Sequence, residues 1–353
     1  MTTIALLPGD GIGEEILDGP VAFLRRLAAE GVPIALTDPL PYGSSGWLQT
    51  GSVLPEATIE ACRESDVILS GAVGTHPGVS PVDCPHPESA LITLRHMFDL
   101  RISVRTVWAI DTGDVTIVRN IVDGAYVEEQ HRTESDGVSA ATDEIRLLPE
   151  RVREVLDMAA DFVEATPGRR YLSVDKPNVF ATSRLWRTMA KAVSADRDVA
   201  FDHLNVDRAA YELVKFDRLP AVIATEGIFG DILSDIVCAR AGSPALCGSA
   251  TINPDKKPGA GATGLFEPAH GSSPHRTGTR RSNPTGAWLA LAALLDWCPD
   301  VAPLGLGAHV RSALTDVYAA GTRTYDLAGP GDTAVGMDEF NEKILASLET
   351  HRG

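Results

Sequence analysis

Ile4–Gly13, IALLPGDGIG, passes from a short apolar stretch into a turn with glycine at positions 9, 11 and 13, and the residues on to Glu30 carry the spacing of an amphipathic helix. Ile4 to Leu7, apolar without alternation, reads as a buried strand, and the glycines supply the reversal into the helix. The same grammar returns at Asp66–Gly74, DVILSGAVG. Further on, strands at Arg101–Val107, VTIVRN (115–120), YLSVDK (171–176), VAFDHLNVD (199–207) and AVIATEG (221–227) are interleaved with helices at Glu88–Phe98, Pro149–Thr166 and Ser183–Ala195. Helix-length connections build mainly parallel sheets with helices laid on them. An α/β fold is expected.

At 353 residues the chain exceeds one typical domain. The segments up to residue 100 form one layer, and the block from about Val115 to Phe229 forms a second domain. The helices from Asn283 onward have no strands of their own and are expected to return to the first layer. The expected division is therefore 1–100 plus 250–353, a discontinuous domain, against 101–249. Within the second block, Val127–Leu147 alternates around Ser135-Asp136-Gly137, a hairpin signal, with little to bury on either face. A β-arm over about 127–147 that pairs with another subunit explains it; a plain solvent-exposed hairpin explains it equally.

Composition narrows the partners. Lys and Arg number 31 against 48 Asp and Glu, a net charge of −17. That balance argues against nucleic acid and against an anionic membrane surface, and requires any anionic ligand to meet a local basic cluster. Five cysteines, widely separated and without CxxC spacing, indicate neither a disulfide framework nor a zinc knuckle. With no basic leader and no long apolar segment near Met1, a soluble, unprocessed, cytoplasmic protein is expected.

Four constellations carry chemistry. In GIFGDILSDIVCA, Asp231 and Asp235 are four apart on a helix and share a face among apolar neighbours, which implies partial burial. Paired carboxylates there call for a cation or a shared proton, and hard oxygen donors suit Mg²⁺ or Mn²⁺; Asp231 as a simple N-cap beside a solvated Asp235 is the plainer reading. Lys176, at the C-terminal end of a strand, sits on the edge where open α/β sheets place ligands, and can serve as a proton shuttle or lie on the surface beside Asp175. Tyr126 can donate a proton or simply open a strand. Arg95, Arg105 and Arg119 are guanidinium forks suited to carboxylates, with Arg101 between them not distinguished by spacing. Lastly, FEPAHGSSPHRTGTRRSNPTG combines glycines and cations before a helix, as suits backbone contact with a phosphorylated ligand. The turn LLPGDGIG is not the GxGxxG fingerprint and is not read as a Rossmann site.

Taken in order, LLPGDGIGEEI, the Arg95 and Arg105 pair, SVDKPN, NVDRAAYELV, GIFGDILSDI and EPAHGSSP resemble the isocitrate/isopropylmalate dehydrogenase family of β-decarboxylating dehydrogenases over nearly the whole chain. The resemblance implies a two-domain fold with a mixed, mainly parallel sheet core and helices on both faces, not a conventional Rossmann fold, working as a homodimer with shared active sites. It implies that Arg95, Arg105 and Arg119 hold the carboxylates of a malate-type dicarboxylate, and that Asp231 and Asp235 bind Mg²⁺ or Mn²⁺ together with Asp207 of a second copy. Lys176, also from the second copy, would relay the hydroxyl proton, and Tyr126 would protonate the enolate carbon after loss of CO₂. Glu267, His270, Gly271, Ser272, His275, Arg276 and Asn283 would form the cofactor site.

Glu88, Leu91 and Ile92 occupy the positions that face the variable substituent of the substrate, and an acid followed by two aliphatics is more similar to isopropylmalate dehydrogenases than to isocitrate dehydrogenases; alternatively Leu91 and Ile92 are core. Several residues depart from the pattern. Asn120 follows Arg119 where the family carries an acid, Gly227 replaces an asparagine, and Thr106 replaces a proline after Arg105. His275 stands where NAD-dependent members carry an aspartate, and with Arg276 and Arg281 it favours a 2′-phosphate, hence NADP ahead of NAD. D-malate, tartrate or another malate analogue of specialised metabolism competes with a 3-substituted malate as substrate. Oxidation without decarboxylation and a non-catalytic regulatory subunit are the other readings.

Overall fold

The computed structural model describes residues 1–353 apart from 77–83, 85, 110–112, 127–129, 136–137, 167, 169, 216–218, 256–260 and 353, with the main chain alone for 130–135, 138–142 and 352. The chain divides into two compact units, Met1–Leu100 with Ala241–Gly353, and Arg101–Arg240. The second crossing falls between Arg240 and Ala241, before the strand Cys247–Ile252, and not at 249/250 inside that strand as the sequence reading has it.

In the first unit the strands run in the order Ile34–Leu36, Thr2–Leu7, Val67–Ser70, Gly264–Pro268, Cys247–Ile252. The first three contacts are parallel and the last, between Gly264–Pro268 and Cys247–Ile252, is antiparallel. Because side chains alternate across a strand, each face carries its own row. Ala5, Ile68 and Leu265 align on one face and join Cys62, Ala90 and Leu94, from the helices Glu56–Glu64 and Ser89–Met97, in a buried cluster. Leu6, Leu69 and Phe266 form the row on the other face. The helix Thr285–Trp297, apolar on nearly all sides, is buried against Cys247–Ile252 and Gly264–Pro268, with Gly13–Ala29 and Leu306–Ala319 packed on it.

The glycine-rich turn is spent on packing. Gly9 and Gly11 have positive φ, and a Cβ on either would lie within 2.2 Å of a neighbouring carbonyl oxygen, Ala72 O or Ser272 O. Asp10 N donates to Ala72 O at 2.7 Å and Ile12 N to Ser272 O at 2.9 Å, while the buried Asp10 carboxylate accepts from the N–H groups of Ser44, Ser45 and Gly74. These donors are occupied within the protein, so the turn holds three backbone segments together and does not present a phosphate cradle.

The second unit orders its strands Ile102–Val107, Val115–Asn120, Val222–Thr225, Tyr171–Asp175, Asp202–Asn205, antiparallel at the first contact and parallel thereafter. The helices Pro149–Ala165 and Ala181–Arg197 pack together; the former lies on Val115–Asn120 and Val222–Thr225, the latter on Tyr171–Asp175. The strand expected over 199–207 is shorter, and Val206 begins a helix to Lys215. Ala209 and Leu213 are its buried residues, at helical spacing, which the apolar run preceding them obscured. The segment expected as an arm or an exposed hairpin pairs Gln130–Ser135 antiparallel with Val138–Asp143; Asp136 and Gly137, the expected hairpin signal, lie outside the described residues.

Candidate active site

In the second unit Thr225 is in register with Arg119 on one side and Val174 on the other, and Asp175 with Asn205, so the parallel strands end on one edge. Chain leaving that edge carries Lys176, Asp207 and the helix Gly227–Ala241. Arg119 lies opposite Ser103 across the antiparallel pair, and Ser103 shares a face with Arg105, so the two arginines emerge as diagonal neighbours.

Both reach the same carboxylate. Asp231 Oδ1 lies 3.1 Å from Arg105 Nη1 and 2.9 Å from Arg119 Nη1. Arg105 Nη1 also donates to Ser234 Oγ at 2.7 Å; Arg119 Nη1 donates to Gly227 O at 2.8 Å and lies 3.3 Å from Tyr126 Oη. The arginine side chains are 14% and 3% exposed against 49% for Asp231, so two largely buried cations share one half-exposed anion. Arg105 Nε is buried with no partner among the described residues. A buried guanidinium with an unused N–H is a place for another carboxylate.

Partial burial of the aspartate pair, expected from its apolar neighbours, does not hold for Asp235: it is exposed, and Ile228 and Ile232 beside it are exposed as well. The apolar residues on that side of the helix face outward. Nor is Asp231 an N-cap, since it lies one turn inside a helix that starts at Gly227. Asp235 forms no ion pair with a described residue. Two carboxylates on successive turns are hard donors of the kind Mg²⁺ or Mn²⁺ requires, but among the described residues no three carboxylate, imidazole or thiol groups converge. Within one chain the donor set fits such a cation in part.

Lys176 Nζ pairs with Asp207, whose carboxyl this contact holds below its usual range. Asp175, buried beside it, instead accepts Arg187 Nε at 2.8 Å. Arg101 leaves the candidate set: it is 4% exposed and forked onto Glu154 at 2.6 and 3.1 Å, a buried structural pair.

In the first unit, Glu88, Leu91, Ile92 and Arg95 follow i, i+3, i+4, i+7 spacing along the start of Ser89–Met97. Leu91 packs against the core cluster, as the core reading had it, while Ile92 is 50% exposed. Arg95 Nη2 donates to Glu267 Oε1 at 2.7 Å, and Arg95 Nε is buried with no partner among the described residues.

A cleft of about 370 Å³ in the same unit is lined by His270, Gly271, His275, Arg276 and Asn283 from the expected cofactor set. Glu267 and Ser272 are not among its lining residues; the Ser272 hydroxyl donates to Thr75 O and its carbonyl accepts from Ile12 N. The sequence reading missed Ile12, Ser243, Ser282 and Asp326, which also line it. Asp326 accepts from Asn283 Nδ2 at 3.2 Å and from the Ser243 hydroxyl, residues about 40 and 80 positions away, a pairing that no local pattern reveals. Burial holds His270 below the usual imidazole range, so the ring is neutral at pH 7. Its Nδ1 faces Gly271 O at 3.0 Å, which leaves the buried Nε2 without a partner as an acceptor. His275 and Arg276 are exposed on the turn Pro274–Arg276, and the Arg281 guanidinium stacks 3.7 Å over the Tyr325 ring. The donors, acceptors and cations suit a nucleotide.

The isocitrate/isopropylmalate dehydrogenase family model matches residues 3–344. The chain belongs to that family. It is 34% identical to the 3-isopropylmalate dehydrogenase of Desulfitobacterium hafniense over 99% of this chain and 100% of the relative, and 35% identical to that of Geobacillus kaustophilus over 98% and 95%. Among solved structures it is similar to the isocitrate dehydrogenase of Methylococcus capsulatus, with a TM-score of 0.82 and 26% identity over the full length of both chains. A β-decarboxylating dehydrogenase of Thermococcus kodakarensis follows at a TM-score of 0.79 and 29% identity, covering 99% of this chain and 97% of that one. The chain is thus an α/β enzyme of the β-decarboxylating dehydrogenase type, in a family that performs oxidative decarboxylation of hydroxy acids. Among the described residues no helix is long and apolar enough to cross a membrane.

Proposed function

We propose that this enzyme oxidises and decarboxylates a 3-substituted malate with an aliphatic substituent, working as a homodimer with NADP in preference to NAD. The observation that carries the reading is that the buried guanidiniums of Arg105 and Arg119 both reach the Asp231 carboxylate, beside Tyr126 and with Arg105 Nε unpartnered among the described residues. Arg105, Arg119 and Arg95 hold the substrate carboxylates through bidentate contacts, and Ile92, exposed on the stripe that ends in Arg95, favours an apolar substituent over the hydroxyl of tartrate or the hydrogen of D-malate. Asp231 and Asp235 of one chain and Asp207 of another hold Mg²⁺ or Mn²⁺. When bound, the cation lowers the cost of ionising the substrate hydroxyl and stabilises developing enolate charge, while the nicotinamide accepts the hydride.

Lys176 of the second copy relays the hydroxyl proton, passing one of its own protons on as it receives it, while hydride leaves the same carbon. Loss of the β-carboxylate as CO₂ leaves an enolate, and Tyr126 gives its proton to the carbon. Arg119 Nη1, 3.3 Å from the phenol oxygen, orients the hydroxyl for that transfer. The exposed Arg276, with Arg281, supplies charge for a 2′-phosphate, and His275 beside it offers a ring N–H.

The test is a panel of 3-substituted malates, D-malate and tartrate with Mg²⁺ or Mn²⁺, reading NADP⁺ and NAD⁺ reduction with trapping of released CO₂. The expected result is turnover of an aliphatic 3-substituted malate with CO₂ equal to cofactor reduced, and a loss of about 100-fold or more in Lys176→Ala and Asp231→Asn at unchanged fold. Wild-type rates in both variants overturn the roles. Keto acid without CO₂ would make the enzyme a simple hydroxy-acid dehydrogenase.

A further inference from the structure

In the first unit three donors from separate stretches of chain converge on one carboxylate. Ser243 Oγ, in the turn that leads to the strand Cys247–Ile252, and Asn283 Nδ2, two residues before the helix Thr285–Trp297, both donate to Asp326 Oδ2, the latter at 3.2 Å. Thr324 Oγ1, in the short strand Arg323–Thr324, donates to Asp326 Oδ1 at 2.7 Å. All three donor residues are buried. Ser243, Asn283 and Asp326 line the cleft that suits a nucleotide, and Thr324 stands behind it, outside the lining. The side chains are already committed within the protein: Ser243 Oγ accepts from Ala245 N at 3.1 Å, and Asn283 Oδ1 from Thr285 N at 3.0 Å. Three of the roughly four acceptor positions of the Asp326 carboxylate are likewise taken by the wall itself.

We infer that Asp326 is a positioning residue for the cofactor: it fastens the turn at 243, the stretch before the helix at 283 and its own segment into one preformed wall. The inference rests on the cleft as the cofactor site. Without the carboxylate, three buried donors lack an acceptor, and the segments that carry them must part or admit water. Binding then has to reassemble the wall, a cost that the preformed cleft avoids. The loss falls on cofactor affinity. The groups proposed to hold the substrate carboxylates and to move protons are other residues, so kcat at saturating cofactor is spared.

The experiment measures NADP⁺ and NAD⁺ binding to the full-length enzyme by calorimetry, beside steady-state kinetics with its active malate, for Asp326→Ala, Asp326→Asn and Thr324→Val. Asp326→Ala is expected to raise Kd for the cofactor about 10-fold or more, with kcat at saturating cofactor and KM for the malate within about 3-fold of wild type. Asp326→Asn is expected to bind within about 3-fold of wild type, since its oxygen accepts from Ser243 and Asn283 while its amide N–H donates to a Thr324 hydroxyl turned to accept. Thr324→Val, behind the cleft, is expected to raise Kd about 3-fold alone and to change it by less than about 2-fold beside Asp326→Ala, because the hydroxyl acts through that carboxylate. Wild-type affinity in Asp326→Ala overturns the positioning role. So does an Asp326→Asn as weak as Asp326→Ala, which would make the charge itself the feature that the cofactor meets. If Asp326→Ala does not fold, Thr324→Val decides, and unchanged affinity there overturns the inference. Amide hydrogen exchange keeps the two readings apart. No protection of residues 242–245 and 270–276 when cofactor is added to the wild-type enzyme removes the cleft assignment and the inference with it, whereas protection without loss of affinity in the variants removes the positioning role alone.

Discussion

Arg95 and Glu267 face each other at 2.7 Å with side chains 16% and 8% exposed, which makes their pairing worth more than a surface ion pair. Removing the anion leaves a guanidinium in a site short of water. Glu267→Gln should therefore lower the unfolding free energy by about 1–3 kcal/mol, read by urea denaturation, because the amide still accepts one hydrogen bond but no longer balances the charge. An unchanged midpoint would show that Arg95 is already solvated. Residue types were legible in the sequence because their chemistry is local: arginines for carboxylates, aspartates for a cation, a lysine at a strand end. Their partners were not. Nothing in the run EPAHGSSP ties Glu267 to a residue 172 positions earlier, and the aspartates of GIFGDILSDI do not show that one of them takes two arginines as neighbours.

Glu226 joins the strand Val222–Thr225 to the helix Gly227–Ala241, and its carboxyl caps that helix by accepting from Phe229 N–H. Burial raises its pKa above the ordinary carboxyl value despite that bond, so the folded state favours the protonated acid more than the unfolded chain does. Stability from this group is full below the unfolded pKa and is lost as pH rises through the folded one. Glu226→Gln keeps an oxygen for the cap without the charge. It should be more stable than wild type at about pH 7.5, with the advantage shrinking towards about pH 4.5, measured as paired denaturation curves. The opposite trend would mean that the carboxylate finds a cation in the fold.

At the scale of elements, the strand–helix alternation was readable because apolar runs and helical periodicity are local signals. The strand Cys247–Ile252 was not. Its residues are small because Thr285–Trp297 lies close upon it; a Cβ on Gly248 would come within 2.6 Å of Leu289 Cβ, so the packing that makes it a strand also removes the bulky residues that mark one. Small residues there merged with the Gly, Pro, Lys and Ala that follow.

For the molecule as a whole, the second unit carries Tyr211 and Val214 on one helix and Ile228 and Ile232 on another, all exposed, and Arg240 Nη1 ties the two helices by donating to Val214 O at 2.7 Å. Apolar surface of this kind, in a chain otherwise strongly acidic, suits a second copy. The same unit presents Lys176 paired with Asp207, and separately Asp231 with Asp235, two half-sites that no third carboxylate of the chain completes among the described residues. If each half-site faces the other half of a second copy, two inactive enzymes should restore one another. In a mixed dimer of Lys176→Ala and Asp231→Asn chains, one site receives wild-type Lys176 from one chain and wild-type Asp231 from the other, while its counterpart carries both substitutions. Random reassortment makes about half the dimers mixed, each with one working site in two, so equal mixing after reversible dissociation should recover about a quarter of wild-type activity. Sites built from one chain would recover nothing, since every site would still lack one of the two groups. No recovery despite confirmed mixed dimers would place Lys176 and Asp231 of a single chain at the same substrate.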